Sequence, residues 1–229
     1  IIGLAMSAGV PLNHISTTSV SGSYLKSSPG TVAVFTENDL DIGQNWDENV
    51  YTKTKYLAEC AVFDSAKRGL VYKIFRVGRL VGRDSDGVFM KNPETNAFWL
   101  LVRGLLTVGA IPESIAEMPV DLTPVDICAE AILTLSESPS SVFHIMSPYP
   151  LALREVFPSL PVLPDSSFDS RVRASDPDKT ASLVNYLNSF RRLRSCVKVS
   201  AEETVRLLGR TGFSWPKPQV SRLLASFTG

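Results

Sequence analysis

Tyr51 and Lys55 form the one Tyr-x-x-x-Lys pair in the sequence. On a helix, an i,i+4 spacing puts both side chains on one face. An ammonium beside a phenol favours the ionised oxygen, which makes the pair a candidate for general acid–base work. Chance alone supplies such a pair in roughly a quarter of chains with this tyrosine and lysine content, so its surroundings must carry the argument.

Those surroundings are favourable. Tyr51 to Lys67 contains neither Gly nor Pro and has the apolar spacing of a helix, which Gly69 ends. Before it, Gly9-Val10-Pro11 stops an opening helix, and Leu12 to Ser16 reads as a strand running into Ser16-Thr17-Thr18-Ser19. After it, Val71 to Val77 reads as a second strand, ending at Gly78-Arg79. Strand, helix and strand with short joints predict an α/β fold with a parallel sheet. In such sheets ligands bind at the carboxyl ends of the strands, where the hydroxyl run and the start of the helix would converge. Hydroxyl, phenol and ammonium together are the groups that nicotinamide-dependent carbonyl reduction requires.

Composition narrows the alternatives. The 229 residues carry 23 Lys+Arg against 23 Asp+Glu, a balance that argues against a nucleic-acid partner, whose phosphates demand excess basic charge. Cys60, Cys128 and Cys196 lie far apart without a CxxC, so no metal site or disulfide framework is expected. No apolar run reaches the ~18 residues of a membrane span. The expectation is a soluble, cytoplasmic protein with no membrane partner. The opening Ile1-Ile2-Gly3-Leu4-Ala5 has no basic flank and reads as a helix already under way, so Ile1 is not expected to be the natural start of the folding unit.

Farther along, Phe98 to Leu106 predicts a helix among Gly- and Pro-rich loops, an insertion at about 84–117 of the kind that shapes a substrate pocket. Core packing is the favoured role of Phe98-Trp99-Leu100-Leu101, ahead of an acyl pocket. Thr123-Pro124-Val125-Asp126 predicts a helix start with a hydroxyl cap and Pro at the first position. Ser141 to Met146 is another strand. Asp176-Pro177 and Ser200-Ala201-Glu202-Glu203 predict two further helix starts, the second as a capping box. His14 and His144 sit in apolar strands and read as packed histidines, Cys60 as a small buried apolar residue, and Phe190 to Arg194 as a solvated helix end.

The segments HISTTSVSG, VYTKTKYLAE, FRVGRLVG and VDLTPVDICAEAI, in that order, resemble the extended short-chain dehydrogenase/reductase superfamily. Within it they are most similar to the thioester reductase domains that terminate nonribosomal peptide synthetases and carboxylic acid reductases. The closing Gly212-Phe213-Ser214-Trp215-Pro216 resembles the end of those domains. The resemblance implies the C-terminal part of a Rossmann-type parallel-sheet domain over 1–150, incomplete at its front, and a smaller, mainly helical substrate domain over 151–229. It implies Thr17 as the carbonyl-polarising hydroxyl, ahead of its neighbours Ser16, Thr18 and Ser19, with Tyr51 as proton donor and Lys55 as the ribose-binding lysine. Val77 and Gly78 become backbone positions near the nicotinamide, Val77 standing where many relatives have Pro.

The implied cofactor is NADPH, with NADH as the alternative, and the implied substrate is an acyl or peptidyl thioester on the phosphopantetheine arm of a carrier protein. Reductive release would yield an aldehyde, or an alcohol after a second round. No GxGxxG occurs among the 14 glycines, so the phosphate-binding loop is expected in a missing N-terminal segment, and the chain alone is expected to be inactive. Two other readings stand beside this one. A nucleotide-sugar epimerase or dehydratase would need basic residues for a diphosphate, whereas residues 96–116 hold only Arg103. A noncatalytic fragment would retain the motifs without binding cofactor.

Overall fold

The computed structural model describes residues 1–28, 31–46, 49–192 and 196–228, except for the side chains of 189–192, 196 and 228. The side chains of the Phe190–Arg194 cluster lie outside those described. In chain order the principal elements are α1 (Ile2–Ala8), β1 (Leu12–Thr17), β2 (Val32–Phe35), α2 (Val50–Ala66), β3 (Tyr72–Val77), α3 (Ala97–Val108), α4 (Val125–Ser136), β4 (Val142–Ile145), α5 (Asp165–Ala174), α6 (Pro177–Arg192), β5 (Cys196–Val199) and α7 (Glu202–Arg210). The strands β1, β3 and β4 form a parallel sheet in the order β1-β3-β4, giving the α/β class that the sequence predicts.

Local chemistry explains the elements that matter. Gly9 adopts a left-handed conformation (φ 63°) and closes α1, after which the chain extends into β1. The Asn49 side chain accepts from the backbone N–H groups of Tyr51 and Thr52, which fixes where α2 begins. The strand β2 has no counterpart in the sequence reading. It pairs in parallel with β5, Val32 opposite Cys196 and Phe35 opposite Val199.

The backbone divides into two compact units. The first comprises Ile1–Gly78, Cys128–Met146 and Leu193–Trp215. The sheet's register places Ser16, Arg76 and His144 in one row, and Thr17, Val77 and Ile145 in the next. On the α1/α2 side, Ala5, Val62, Leu70 and Ile74 form a small apolar core. Among the described residues β1 pairs only with β3, and Ile15 on it is 49% exposed. Residues 196–210 return to this unit because β5 pairs with β2 and α7 lies against β4.

The second unit comprises Arg79–Ile127, Ser147–Arg192 and Pro216–Gly229. Its core gathers Phe98, Leu101, Val102 and Leu105 of α3 with Phe168, Leu183 and Leu187 of α5 and α6. Gly104 makes this possible: a Cβ there would stand 2.6 Å from Leu183 Cβ. Phe98 and Leu101 are therefore core residues, as expected.

Two predicted helix starts form differently. Thr123–Pro124 is a short strand paired with Leu80–Val81, and α4 begins only at Val125. Thr123 is held in that strand because its Oγ1 accepts from Ser147 N–H at 2.9 Å. Asp126 receives the backbone N–H groups of Asp84 (2.8 Å) and Ser85 (3.2 Å). The capping box at Ser200 is absent: α7 starts at Glu202 after Ala201, and Glu203 instead pairs with Arg206 one turn on.

Candidate active site

Thr17 is the last residue of β1 and is buried. Its Oγ1 accepts from Ser19 N–H at 3.2 Å and donates to Ser19 Oγ at 3.2 Å, which starts a tight turn over Thr18–Ser21. Of its neighbours, Ser16 donates to Glu59 and Thr18 reaches the Val77 carbonyl at 3.5 Å. In the neighbouring strand Val77 sits opposite Thr17, and Gly78 N–H donates to the Ile145 carbonyl at 2.9 Å. Thr17, Val77 and Gly78 thus share the carboxyl edge of the sheet.

Tyr51 lies in the first turn of α2 with 54% of its surface exposed. Lys55 follows on the same face, its Nζ 6.0 Å from the centre of the Tyr51 ring. The ammonium also donates to the Ile15 carbonyl at 3.3 Å, two residues before Thr17. That bond ties the face of α2 bearing Tyr51 to the end of β1 bearing Thr17. An ammonium has three donors, and this contact employs one of them.

Beneath this edge lies a buried polar network. Glu59, two helical steps of four from Tyr51, is fully shielded from solvent, as are Arg76 and His144. Arg76 holds the Glu59 carboxylate through Nη2 at 2.8 Å and Nε at 3.1 Å. Arg76 Nη1 meets His144 Nε2 at 3.1 Å, and His144 Nδ1 meets the Ser200 carbonyl at 2.5 Å. A guanidinium can only donate and a carbonyl can only accept, so His144 is neutral with its proton on Nδ1. Burial pushes its pKa below the usual 6.5; the Ser200 hydrogen bond opposes this and nearby Arg76 adds to it. Thr204 Oγ1 accepts from His144 N–H at 2.9 Å, and Glu37 accepts from both Thr204 N–H and its hydroxyl.

The two histidines differ. His144 is packed as expected, whereas His14 is only half-buried and its Nε2 has no partner. Burial, with Lys55 nearby, lowers its pKa. Cys60 is likewise half-buried rather than buried, and burial, with the Cys60 thiol adding to it, pushes the Tyr56 phenol up to about 12. Glu59 and Arg76 escaped the sequence reading as site residues although both stand inside the VYTKTKYLAE and FRVGRLVG segments. Glu37 and Thr204 carry no sequence signal, because they meet across 167 positions.

The donors at this edge fit one end of a dinucleotide. Lys55 retains ammonium donors that could hold a ribose diol, and the Tyr51 ring lies near it on the same helix face. A pyrophosphate is not provided for, since no glycine-rich turn leads into a helix at the carboxyl end of β1, β3 or β4 among the described residues. Nor do the described residues contain three His, Cys, Asp or Glu groups placed to hold a metal ion. No helix among them is long and apolar enough to cross a membrane.

A family profile described as male sterility protein, an NAD-binding family, matches residues 1–132. A linear gramicidin synthase of Brevibacillus parabrevis is 25% identical over 183 residues, 73% of this chain and 4% of that protein. Glycine betaine reductase ATRR of Emericella nidulans is 32% identical over 120 residues, 49% of this chain and 9% of that protein. Among solved structures, the reductase domain of an aureusimine biosynthetic cluster superposes with a TM-score of 0.85 at 26% identity, covering 99% of this chain and 61% of that one. A thiolation-reductase di-domain from an archaeal non-ribosomal peptide synthetase gives 0.83 at 29%, covering 99% and 51%. The chain thus spans a small fraction of its curated relatives and little more than half of these solved chains.

Proposed function

Because the chain belongs to the male sterility protein family of NAD-binding domains, we propose that it is the C-terminal portion of an NADPH-dependent thioester reductase. Its substrate is an acyl or peptidyl group held as a thioester on the phosphopantetheine arm of a carrier protein, and its product is the aldehyde. The observation that carries this reading is Lys55, which joins Tyr51 on its own helix face to the end of the strand that carries Thr17. The likeness over 99% of the chain to two reductase domains, one of them joined to a thiolation domain in a non-ribosomal peptide synthetase, supports the choice of thioester.

In this reading a bound NADPH supplies the hydride. Lys55 would hold the ribose hydroxyls, and the Val77–Gly78 backbone would offer its groups to the nicotinamide end. Thr17, its hydroxyl proton turned from Ser19 Oγ to the substrate, and Tyr51 donate to the thioester oxygen as negative charge builds on it, and Tyr51 gives up its proton to that oxygen. Collapse of the thiohemiacetal then releases the pantetheine thiol and the aldehyde. The mainly helical region 151–229 serves as the substrate domain, and the insertion at about 84–117 contributes to the substrate pocket. The pyrophosphate is bound by a glycine-rich N-terminal segment that these 229 residues do not include, so the carrier protein and that segment are the two partners. The reaction takes place in the cytoplasm.

The test is a fluorescence titration of NADPH into the isolated chain and into a longer polypeptide that includes the glycine-rich segment. A Tyr51→Phe/Lys55→Ala variant of each serves as control. The expected result is saturable binding and acyl-pantetheine reduction in the longer protein alone, both lost in the variant. Equal NADPH affinity in the longer wild type and its variant would overturn the assignment.

A further inference from the structure

We propose that Glu59 is the positioning residue of the site, setting α2 against the ends of β1 and β3 through Ser16 and Arg76. This rests on the reductase reading for the chemistry being positioned, but not for the geometry. Ser16 and Arg76 are register partners on adjacent strands, and both donate to the one Glu59 carboxylate. Each stands one residue before a site residue, Thr17 in β1 and Val77 in β3. Glu59 itself follows Tyr51 and Lys55 at steps of four on α2, so all three share a helix face. Fixing the Glu59 carboxylate therefore fixes both the rotation of α2, which aims Tyr51 and Lys55, and the relative height of the two strand ends.

The alternatives are weaker. A catalytic role is excluded by burial, since Glu59 and Arg76 have no exposed surface. Stability alone is a poor reason for the pair, because apolar residues of similar volume serve a core as well or better than a buried ion pair. What apolar residues lack is direction. Here the Glu59 oxygens take Ser16 at 2.5 Å and Arg76 from two nitrogens, an arrangement that one rotation of the helix would break. Arg76 is held in turn by His144 at 3.1 Å and by stacking on Phe35, its guanidinium carbon 4.8 Å from the ring centre. His144 answers to Ser200 and Thr204, so the segment leading into α7 supports the site from behind.

Two variants test this in the full-length protein: Arg76→Lys, which keeps the charge but loses the fork, and Glu59→Gln, which keeps the shape but loses the charge. Amide hydrogen exchange is followed by mass spectrometry over residues 12–21, 49–60 and 72–82, with 97–108 as an internal reference. NADPH-driven reduction of an acyl-pantetheine thioester is measured alongside. We expect exchange to rise at least tenfold in the three site segments and not in 97–108, with kcat down at least tenfold and the thioester KM within twofold. Glu59→Gln decides the matter if Arg76→Lys does not melt cooperatively. Uniform loss of protection, or folded variants with unchanged exchange and kcat, would overturn the proposal. Wild-type protein that reduces no thioester would overturn the reductase reading instead, while the exchange pattern would still decide the role of Glu59.

Discussion

Thr17 and Val77 face each other as the last residues of two neighbouring parallel strands. The pairing matters because it sets a hydroxyl that is bound to its own turn beside a backbone that is bound to the next strand. Thr17 leans on Ser19, and the Gly78 N–H that follows Val77 is bonded to Ile145. Neither group is free to drift, which is what a site for charge stabilisation requires.

Replacing Thr17 by Val should remove both contacts to Ser19 while keeping the volume. Loss of a hydrogen bond of this kind costs about 0.5–1.5 kcal/mol, so the melting midpoint should fall by only a few degrees. In the longer polypeptide that carries the glycine-rich segment, thioester reduction should fall by about 10²–10³ if the hydroxyl carries the developing charge. Steady-state kinetics beside a thermal melt separate the two effects.

Tyr51 presents more than half of its surface to solvent, so Tyr51→Phe should leave the melting midpoint unchanged. Its effect should fall on turnover, with kcat reduced by about 10²–10⁴ and nucleotide affinity retained. Lys55→Met should act differently, weakening NADPH binding as well as turnover. A matched pair of fluorescence titrations and rate measurements distinguishes them.

Acid should loosen the first unit through its histidines. Burial holds the His144 pKa below 6.5 in the folded protein, and His14 shifts the same way. The unfolded chain therefore binds protons near pH 6.5 that the folded chain refuses, and stability falls as pH drops below about 6.5. Each histidine contributes a slope of up to about 1.4 kcal/mol per pH unit. His144→Gln keeps a donor and an acceptor without titrating, so its melting midpoint should depend less on pH between 7.5 and 5.5 than that of the wild type.

The α3–α6 contact offers a test in the second unit. A Cβ at Gly104 would stand 2.6 Å from Leu183 Cβ, an atom fixed to the α6 backbone. Overpacking costs about 1–3 kcal/mol against the roughly 1 kcal/mol that Ala gains as a helix former, so Gly104→Ala should destabilise by up to about 2 kcal/mol. Urea denaturation would register it as a lower midpoint at an unchanged slope.

Much of this was legible in the sequence where the determinants are local. Gly9 marks the end of α1, the Gly- and Pro-free run marks α2, and the Tyr51–Lys55 face follows from helical spacing. What was missed depends on distant partners. The strand β2 is only four residues long and exists because β5 lies beside it. Thr123–Pro124 has the chemistry of a helix start, yet pairing with Leu80–Val81 and the bond to Ser147 hold it extended. Glu59 and Arg76 were visible as letters in two motifs, but nothing in either segment says that they meet. Only the register of β1 on β3 brings Ser16, Arg76 and Glu59 to one point.

The pairing of β2 with β5 also sets an order of events during synthesis. Phe35 is fully covered and Glu37 nearly so in the finished fold, and among the described residues Glu37 takes its hydrogen bonds from Thr204. On a translating ribosome Glu37 lacks that partner until the stretch 167 residues later has emerged, and a loop of that length must then close. Closure of the first unit is thus postponed to the end of translation of this region. A ribosome that stalls between Ser147 and Arg192 leaves a nascent chain in which the small core around Ile74 is complete while β2 still lacks β5.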